Sequence, residues 1–121
     1  MNAVQVPLVV EAILILVTMT LGTLLGRMKK PYGKVKLPLH LFFAVWFAFG
    51  YYFVAQTVWT SQGFSGTGIA VLVMGIALLV QVLTGVRMLV AKWGPQLPLV
   101  HGTSAVLVLV SDAVAYFLSG S

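Results

Sequence analysis

The chain has 121 residues, of which 60% are hydrophobic and only 7% are charged. Because roughly a quarter of the residues in soluble domains are charged, this composition indicates an integral membrane protein of one domain. The absence of cysteine excludes disulfides and cysteine-ligated iron–sulfur clusters on this chain. The formal net charge of +5 comes from residues that flank apolar runs, and nothing in the pattern supports nucleic-acid binding.

Four apolar runs are each long enough to cross a membrane at roughly 20 residues per crossing. They predict an all-α domain with transmembrane spans at about 8–26, 38–58, 69–90 and 98–118. The positive charges of the first run follow its apolar core, whereas a cleavable signal peptide has them in front, so we expect a retained anchor helix. An uncharged loop, 60–68, joins the second and third spans.

All seven lysines and arginines lie in or beside the first and third connections between spans. By the positive-inside rule, these connections face the cytoplasm and both termini face outward. The pattern favours the inner (plasma) membrane of a bacterium or archaeon.

A short internal repeat predicts two similar hairpins in an up-down bundle. The letters GRM, a Pro-Gly turn and LPLH in the first half resemble GVRM, a Gly-Pro turn and LPLVH in the second. Two hairpins of the same polarity would be related by an axis along the membrane normal.

The two histidines of the chain, His40 and His101, each follow a Leu-Pro-Leu step at the start of a span. At about 1.5 Å per residue, both lie roughly 5 Å below the cytoplasmic boundary. If the second and fourth spans face each other across the bundle, both imidazoles can ligate one iron, as expected for a low-spin b-type haem that transfers electrons. The alternatives are hydrogen bonding to neighbouring helices, or ligation of separate chlorophyll-type pigments.

Other residues near this level have two interpretations each. Gly22, Gly26 and Gly85 leave room either for a porphyrin edge or for close helix packing. Arg27 and Arg87 either pair with haem propionates or serve only as topology charges. The second span is rich in aromatic residues, which either contact lipid and core or form a packing surface for a macrocycle.

Three further residues should share a layer about 16 Å nearer the outside. Tyr51 and Asp112 lie eleven residues beyond His40 and His101, and Glu11 falls at nearly the same depth. Since an ionised carboxylate facing lipid is costly, we expect Glu11 and Asp112 to face the bundle interior, a cavity or a partner subunit. They indicate a proton or quinone site, or alternatively side chains that reach the headgroups. Gln81 is interpreted as an interhelical hydrogen-bonding residue.

With histidines on facing helices of four spans, the layout resembles small four-helix membrane b-type cytochromes of the cytochrome b561 kind. That resemblance implies haem b and electron transfer, although two histidines support one haem where those families commonly hold two. Glu11 in a chain of this size is similar to the first-helix glutamate of small multidrug-resistance transporters, which implies proton-coupled transport. His40 with Trp46-Phe47-Ala48 resembles a helix of membrane-bound protoporphyrinogen oxidases.

The leading hypothesis is an electron-transfer subunit of a larger respiratory or photosynthetic complex, with one haem between His40 and His101. Its expected partners are the lipid membrane, other membrane subunits and a quinone, because short loops leave little soluble surface. A proton-coupled transporter using Glu11 or Asp112, a pigment-binding subunit and a purely structural subunit are the alternatives. The sequence does not decide whether the chain is an enzyme.

Overall fold

The computed structural model describes residues 1–26, 35–90 and 94–120, and these residues fold as four α-helices. The helices are α1 (Gln5–Gly26), α2 (Lys36–Ser61), α3 (Gly66–Val90) and α4 (Gln96–Ser119). Each is long and apolar enough to cross a membrane, which confirms the predicted all-α transmembrane fold.

The connection between α2 and α3 is shorter than predicted. It spans only 62–65, because the hydroxyls of Thr60 and Ser61 donate to carbonyls of their own helix rather than ending it. At the other side of the turn, the Ser65 hydroxyl accepts the backbone N–H of Gly68 at 3.1 Å and caps α3. The predicted loop residues 60–61 and 66–68 therefore belong to helices.

Three helices carry a proline as their third residue: Pro7 in α1, Pro38 in α2 and Pro98 in α4. The first four N–H groups of a helix have no partner within it, so a proline at this position loses no hydrogen bond. This explains why each Leu-Pro-Leu step begins a helix instead of breaking one.

The bundle is closed around four neighbouring helix pairs. α1 packs on α2, α3 packs on α4, and the two hairpins meet where α1 contacts α4 and α2 contacts α3. In the described ranges the diagonal pairs make no backbone contact, so α2 stands opposite α4 as predicted. We call the end where α2 and α4 begin the histidine end, and the end with both chain termini the terminal end.

Much of the burial pattern repeats between the two hairpins, at one offset for α1 and α3 and another for α2 and α4. Adding 63 to the residue numbers of Leu8, Glu11 and Thr18 on α1 gives buried residues of α3, and adding 61 to the numbers of the three buried residues of α2 gives buried residues of α4. The pairs are Leu8 and Val71, Glu11 and Met74, Thr18 and Gln81, Phe47 and Val108, Val54 and Ala115, and Val58 and Ser119. The predicted pair of similar hairpins is therefore present in the interior of the bundle.

Buried apolar side chains form two clusters, stacked along the bundle. The terminal cluster consists of Val4, Leu8, Val54, Val58, Ala70, Val71 and Ala115. The central cluster consists of Ile15, Phe47, Met74, Ala77 and Val108. Neither cluster reaches the histidine end, where the buried side chains of the described residues include the polar Thr18, Gln81 and Ser104.

The outer faces of the helices are apolar and exposed, as expected for contact with lipid. Ile13, Leu83 and Phe117 are 57%, 61% and 74% exposed. Most aromatic residues of α2 also point outward, including Phe42, Trp46, Phe49, Tyr52 and Phe53. Within α2 only the Phe47 ring is buried, in the central cluster, so lipid contact explains the aromatic density better than a macrocycle surface does.

Candidate cofactor site

The two histidines meet inside the bundle. His40 and His101 lie in the second turns of α2 and α4, and their ring centres are 6.5 Å apart with the ring planes at 63°. Both rings are half-buried. The sequence-based prediction that they approach each other from diagonal helices is confirmed.

The tautomer of His40 follows from its hydrogen bond. Its Nδ1 lies 2.9 Å from the backbone carbonyl oxygen of Thr18 on α1. A carbonyl oxygen can only accept, so Nδ1 carries the hydrogen. In a neutral imidazole this leaves the lone pair of Nε2 free for a metal.

The hydrogen-bond partner of His101 is a hydroxyl instead of a carbonyl. Its Nδ1 lies 2.9 Å from the Thr84 hydroxyl on α3. That hydroxyl has one hydrogen, which is directed at the carbonyls of Val80 and Gln81, at 2.8 and 3.1 Å. With that hydrogen on a carbonyl, the Thr84 oxygen accepts from Nδ1–H of His101, and the backbone of Gln81 is a further hydrogen-bond partner of this ring. In that arrangement the Nε2 lone pair of His101 is available to a metal as well.

Each imidazole lies against a glycine of the neighbouring helix. A Cβ atom added to Gly22 would stand 3.0 Å from Cε1 of His40, and one added to Gly85 would stand 3.1 Å from Cε1 of His101. These distances are too short for an ordinary contact, so a side chain at either position would push the ring away. We call Gly22 and Gly85 the seating glycines, because their lack of a side chain lets each imidazole pack directly against the neighbouring helix. This role differs from both sequence-based interpretations. The surroundings of Gly26 lie outside the described residues.

The spacing of the rings fits one metal ion between them. A metal–nitrogen bond of about 2 Å, added to the roughly 1.2 Å from ring centre to nitrogen, places two coaxial ligand rings about 6.4 Å apart. The observed separation of the ring centres is 6.5 Å. Two stacked macrocycles, each with its own histidine, would need roughly 3.5 Å more between the rings.

The environment of the pair also fits a bound group. Oε1 of Gln81, one helical turn from Gly85, is buried without a hydrogen-bond partner among the described residues. Buried polar atoms normally have a partner, so this one suggests a ligand or water at the same level. The predicted interhelical hydrogen bond of Gln81 is not made by this oxygen. The donor set and the distance between the ring centres are those that a bis-histidine haem would use.

One of the two arginines predicted to bind propionates lies within the described residues. Arg87 lies in the last turn of α3, two residues beyond Gly85, and is exposed at the histidine end. Arg27 lies outside the described residues.

The carboxylates form a second polar layer, nearer the terminal end. Glu11 is 1% exposed and Asp112 is 2% exposed, and the two interact electrostatically across the contact of α1 with α4. A Cβ atom at Gly50 on α2 would overlap the Glu11 carboxylate. The expectation that both carboxylates face the interior is confirmed, and the alternative that they reach lipid headgroups is wrong, because both side chains are buried inside the bundle.

Tyr51 belongs to the same layer but bonds to the backbone. Its hydroxyl donates to the carbonyl of Val71 at 2.9 Å and occupies the space that a side chain at Gly75 would take. The three residues predicted to share a depth therefore do so, while Tyr51 directs its hydrogen to α3.

Sequence reasoning missed the supporting residues: Thr18, Thr84, Gly50 and Gly75. Thr18 and Gln81 each precede a seating glycine by four residues. This repeated spacing is a signal in the sequence from which their backbone carbonyls could have been predicted as acceptors for the histidines. Gly50 and Gly75 carry no such signal, because their partners come from other helices.

Comparison with protein-family models, with curated proteins and with solved structures found no match to this chain.

Proposed function

We propose that this chain is a b-type cytochrome-like electron-transfer subunit that holds one haem between His40 and His101. One observation carries the proposal: the ring centres of two imidazoles, each with its Nδ1 beside an acceptor oxygen, are 6.5 Å apart, a distance that would suit two histidines that bind one metal. The resemblance to cytochrome b561-like proteins supports it in layout only.

The surrounding residues would prepare the site for a low-spin haem. Acceptors at Nδ1, supplied by Thr18 and Thr84, hold the rings in orientation and raise their basicity as ligands. Gly22 and Gly85 allow the rings to lie close to α1 and α3. Bound there, the haem would supply a one-electron iron centre.

The histidine end would face the cytoplasm, because every lysine and arginine of the chain lies at or beside its two connections. Arg87, and Arg27 on the first connection, would pair with the haem propionates. With a four-residue connection at the other end, the chain offers little soluble surface. Membrane subunits of a larger complex, with a quinone as the mobile carrier, are therefore its proposed partners.

Two alternatives are less well supported. A pair of pigments stacked between the two histidines would need a wider ring separation than the 6.5 Å observed. A transporter using Glu11 and Asp112 needs solute access to carboxylates that are at most 2% exposed, although a proton is small enough to reach them.

The test is a reduced-minus-oxidised visible spectrum of the protein purified in detergent, with His40→Ala and His101→Ala alongside. We expect a b-type spectrum in the wild type and its loss in each single variant. Added imidazole should restore part of the spectrum in either variant, which separates ligand loss from misfolding. Gly102→Ala is the matched control, since Gly102 adjoins His101 and a Cβ there meets nothing within 4 Å.

Absence of a Soret band in the wild type, in native membranes as well as in detergent, would contradict the proposal. So would a spectrum that persists in either histidine variant without added imidazole. Proton-coupled solute flux in vesicles without any haem spectrum would instead favour the transporter.

A further inference from the structure

The carboxylate layer is enclosed on both sides by apolar layers. On α1, Glu11 lies one turn from Leu8 of the terminal cluster and one turn from Ile15 of the central cluster. On α4, Asp112 lies between Ala115 of the terminal cluster and Val108 of the central cluster. Two acidic groups are therefore held in the membrane interior, separated from both ends of the bundle by buried side chains.

Within residues 1–26, 35–90 and 94–120, no side chain forms an ion pair with these carboxylates. Both oxygens of Glu11 and Oδ2 of Asp112 have no hydrogen-bond partner among the described residues. From α2 the titratable neighbour is Tyr51, whose hydrogen goes to Val71, and α4 adds Tyr116 beside the terminal cluster. α3 has no titratable side chain in this layer. In the sequence, the lysines and arginines all fall in or beside the first and third connections, far from Glu11 and Asp112.

Two uncompensated negative charges in such a place would be very costly, so a positive ion must accompany them. A metal cation would need about six oxygen ligands. Within the described part of the chain no three carboxylate, histidine or cysteine side chains gather around a common point. A proton needs only the carboxylates themselves, and Gly50 leaves the Glu11 carboxylate the room it occupies.

We propose that Glu11 and Asp112 form an intramembrane proton-binding pair that takes up a proton when the haem is reduced. The redox part of this inference rests on the proposed function, and the proton-binding part does not. One electron enters from an external reductant and one proton from water, so the reduced protein holds one proton more. The histidines and the carboxylate layer are about 16 Å apart along the bundle. In a low-dielectric interior, a charge added near the histidines changes the electrostatic potential at the carboxylates.

The composition of the chain makes the proton-binding part directly measurable. Glu11 and Asp112 are its only two side-chain carboxylates, so a carbonyl band from a protonated carboxyl group in a dry site has few possible sources. We would record infrared spectra of the purified protein at neutral pH, in H₂O and D₂O. The variants are Glu11→Gln, Asp112→Asn and both together, which keep shape while removing charge. Ser111→Ala is the control, because the Ser111 hydroxyl bonds to Leu107 in its own helix.

We expect a carbonyl band in the wild type that shifts in D₂O, persists in Ser111→Ala and disappears in the double variant. A wild-type spectrum identical to that of the double variant in this region would overturn the proton-binding pair, since both carboxyls would then be ionised.

The redox part is tested on the haem-containing protein. Reduction should strengthen the carbonyl band, and the haem midpoint potential should fall as pH rises, because the reduced form binds the proton more tightly. This pH dependence should be weaker in both single variants than in Ser111→Ala. An unchanged pH dependence in the double variant, with the haem spectrum present, would overturn the coupling. A protein without haem would overturn both the proposed function and the coupling, while the carbonyl band would still decide proton binding.

Discussion

The two hairpins are alike at the histidine end and different in the carboxylate layer. At the histidine end, Gly22 and Gly85 occupy equivalent positions, as do His40 and His101. Eleven residues away, Glu11 corresponds to Met74, Gly50 to Ser111 and Tyr51 to Asp112. The shared frame therefore repeats the histidine and the glycine against which it packs, and the carboxylates are placed asymmetrically, one from each hairpin.

The largest expected effect comes from making the carboxylate layer symmetric. Gly50→Ser gives α2 the residue that α4 has at this position, but its side chain would overlap the Glu11 carboxylate. We expect a loss of about 3 kcal/mol in unfolding free energy, from overpacking and displacement of a buried acid. The reciprocal change, Ser111→Gly, should cost only about 1 kcal/mol, the usual penalty of glycine in a helix.

Unfolding of both variants in a denaturing detergent titration would measure this difference. Equal losses would show that the Gly50 site can accommodate a side chain, and the asymmetry of the layer would then have no packing basis.

An intermediate effect is expected at the seating glycines. Gly22→Ala and Gly85→Ala each place a Cβ about 3 Å from Cε1 of a histidine, so each ring must shift by a few tenths of an ångström. We expect each variant to weaken haem binding by about 1 kcal/mol, or roughly fivefold, and the two to agree closely. Haem titration of the purified variants would measure this. A large effect in one variant alone would break the equivalence of the two ligand sites.

The smallest effect is expected from Thr84→Leu. This change gives the second hairpin the same residue that the first hairpin has at the equivalent position, Leu21. His101 would lose the Thr84 hydroxyl but keep the Gln81 carbonyl, just as His40 uses the Thr18 carbonyl. We expect a loss of about 0.5 kcal/mol in haem affinity and a small change in midpoint potential. The control is Thr23→Val, whose hydroxyl bonds only within α1. Complete loss of haem binding in Thr84→Leu would mean that the carbonyl cannot replace the hydroxyl.

Much of the architecture follows from local sequence. Apolar runs of about 20 residues determine four crossings, and prolines in the first turn determine where three of the helices begin. The helical period then places His40 with Tyr51 and His101 with Asp112 at common depths. These are properties of single helices, so the amino-acid order alone was sufficient to predict them.

Only the tertiary structure decided the contacts between helices. Which carbonyl or hydroxyl meets each Nδ1, and therefore which nitrogen is free, depends on the rotation of α1 and α3 about their own axes. The burial of Glu11 depends on a glycine 39 positions away in the chain, on another helix. A long apolar helix has little amphipathic pattern to reveal its inner face, because lipid and protein interior are similarly apolar. That is why the sequence located the polar residues in depth, and the packing of the bundle was needed to locate their partners.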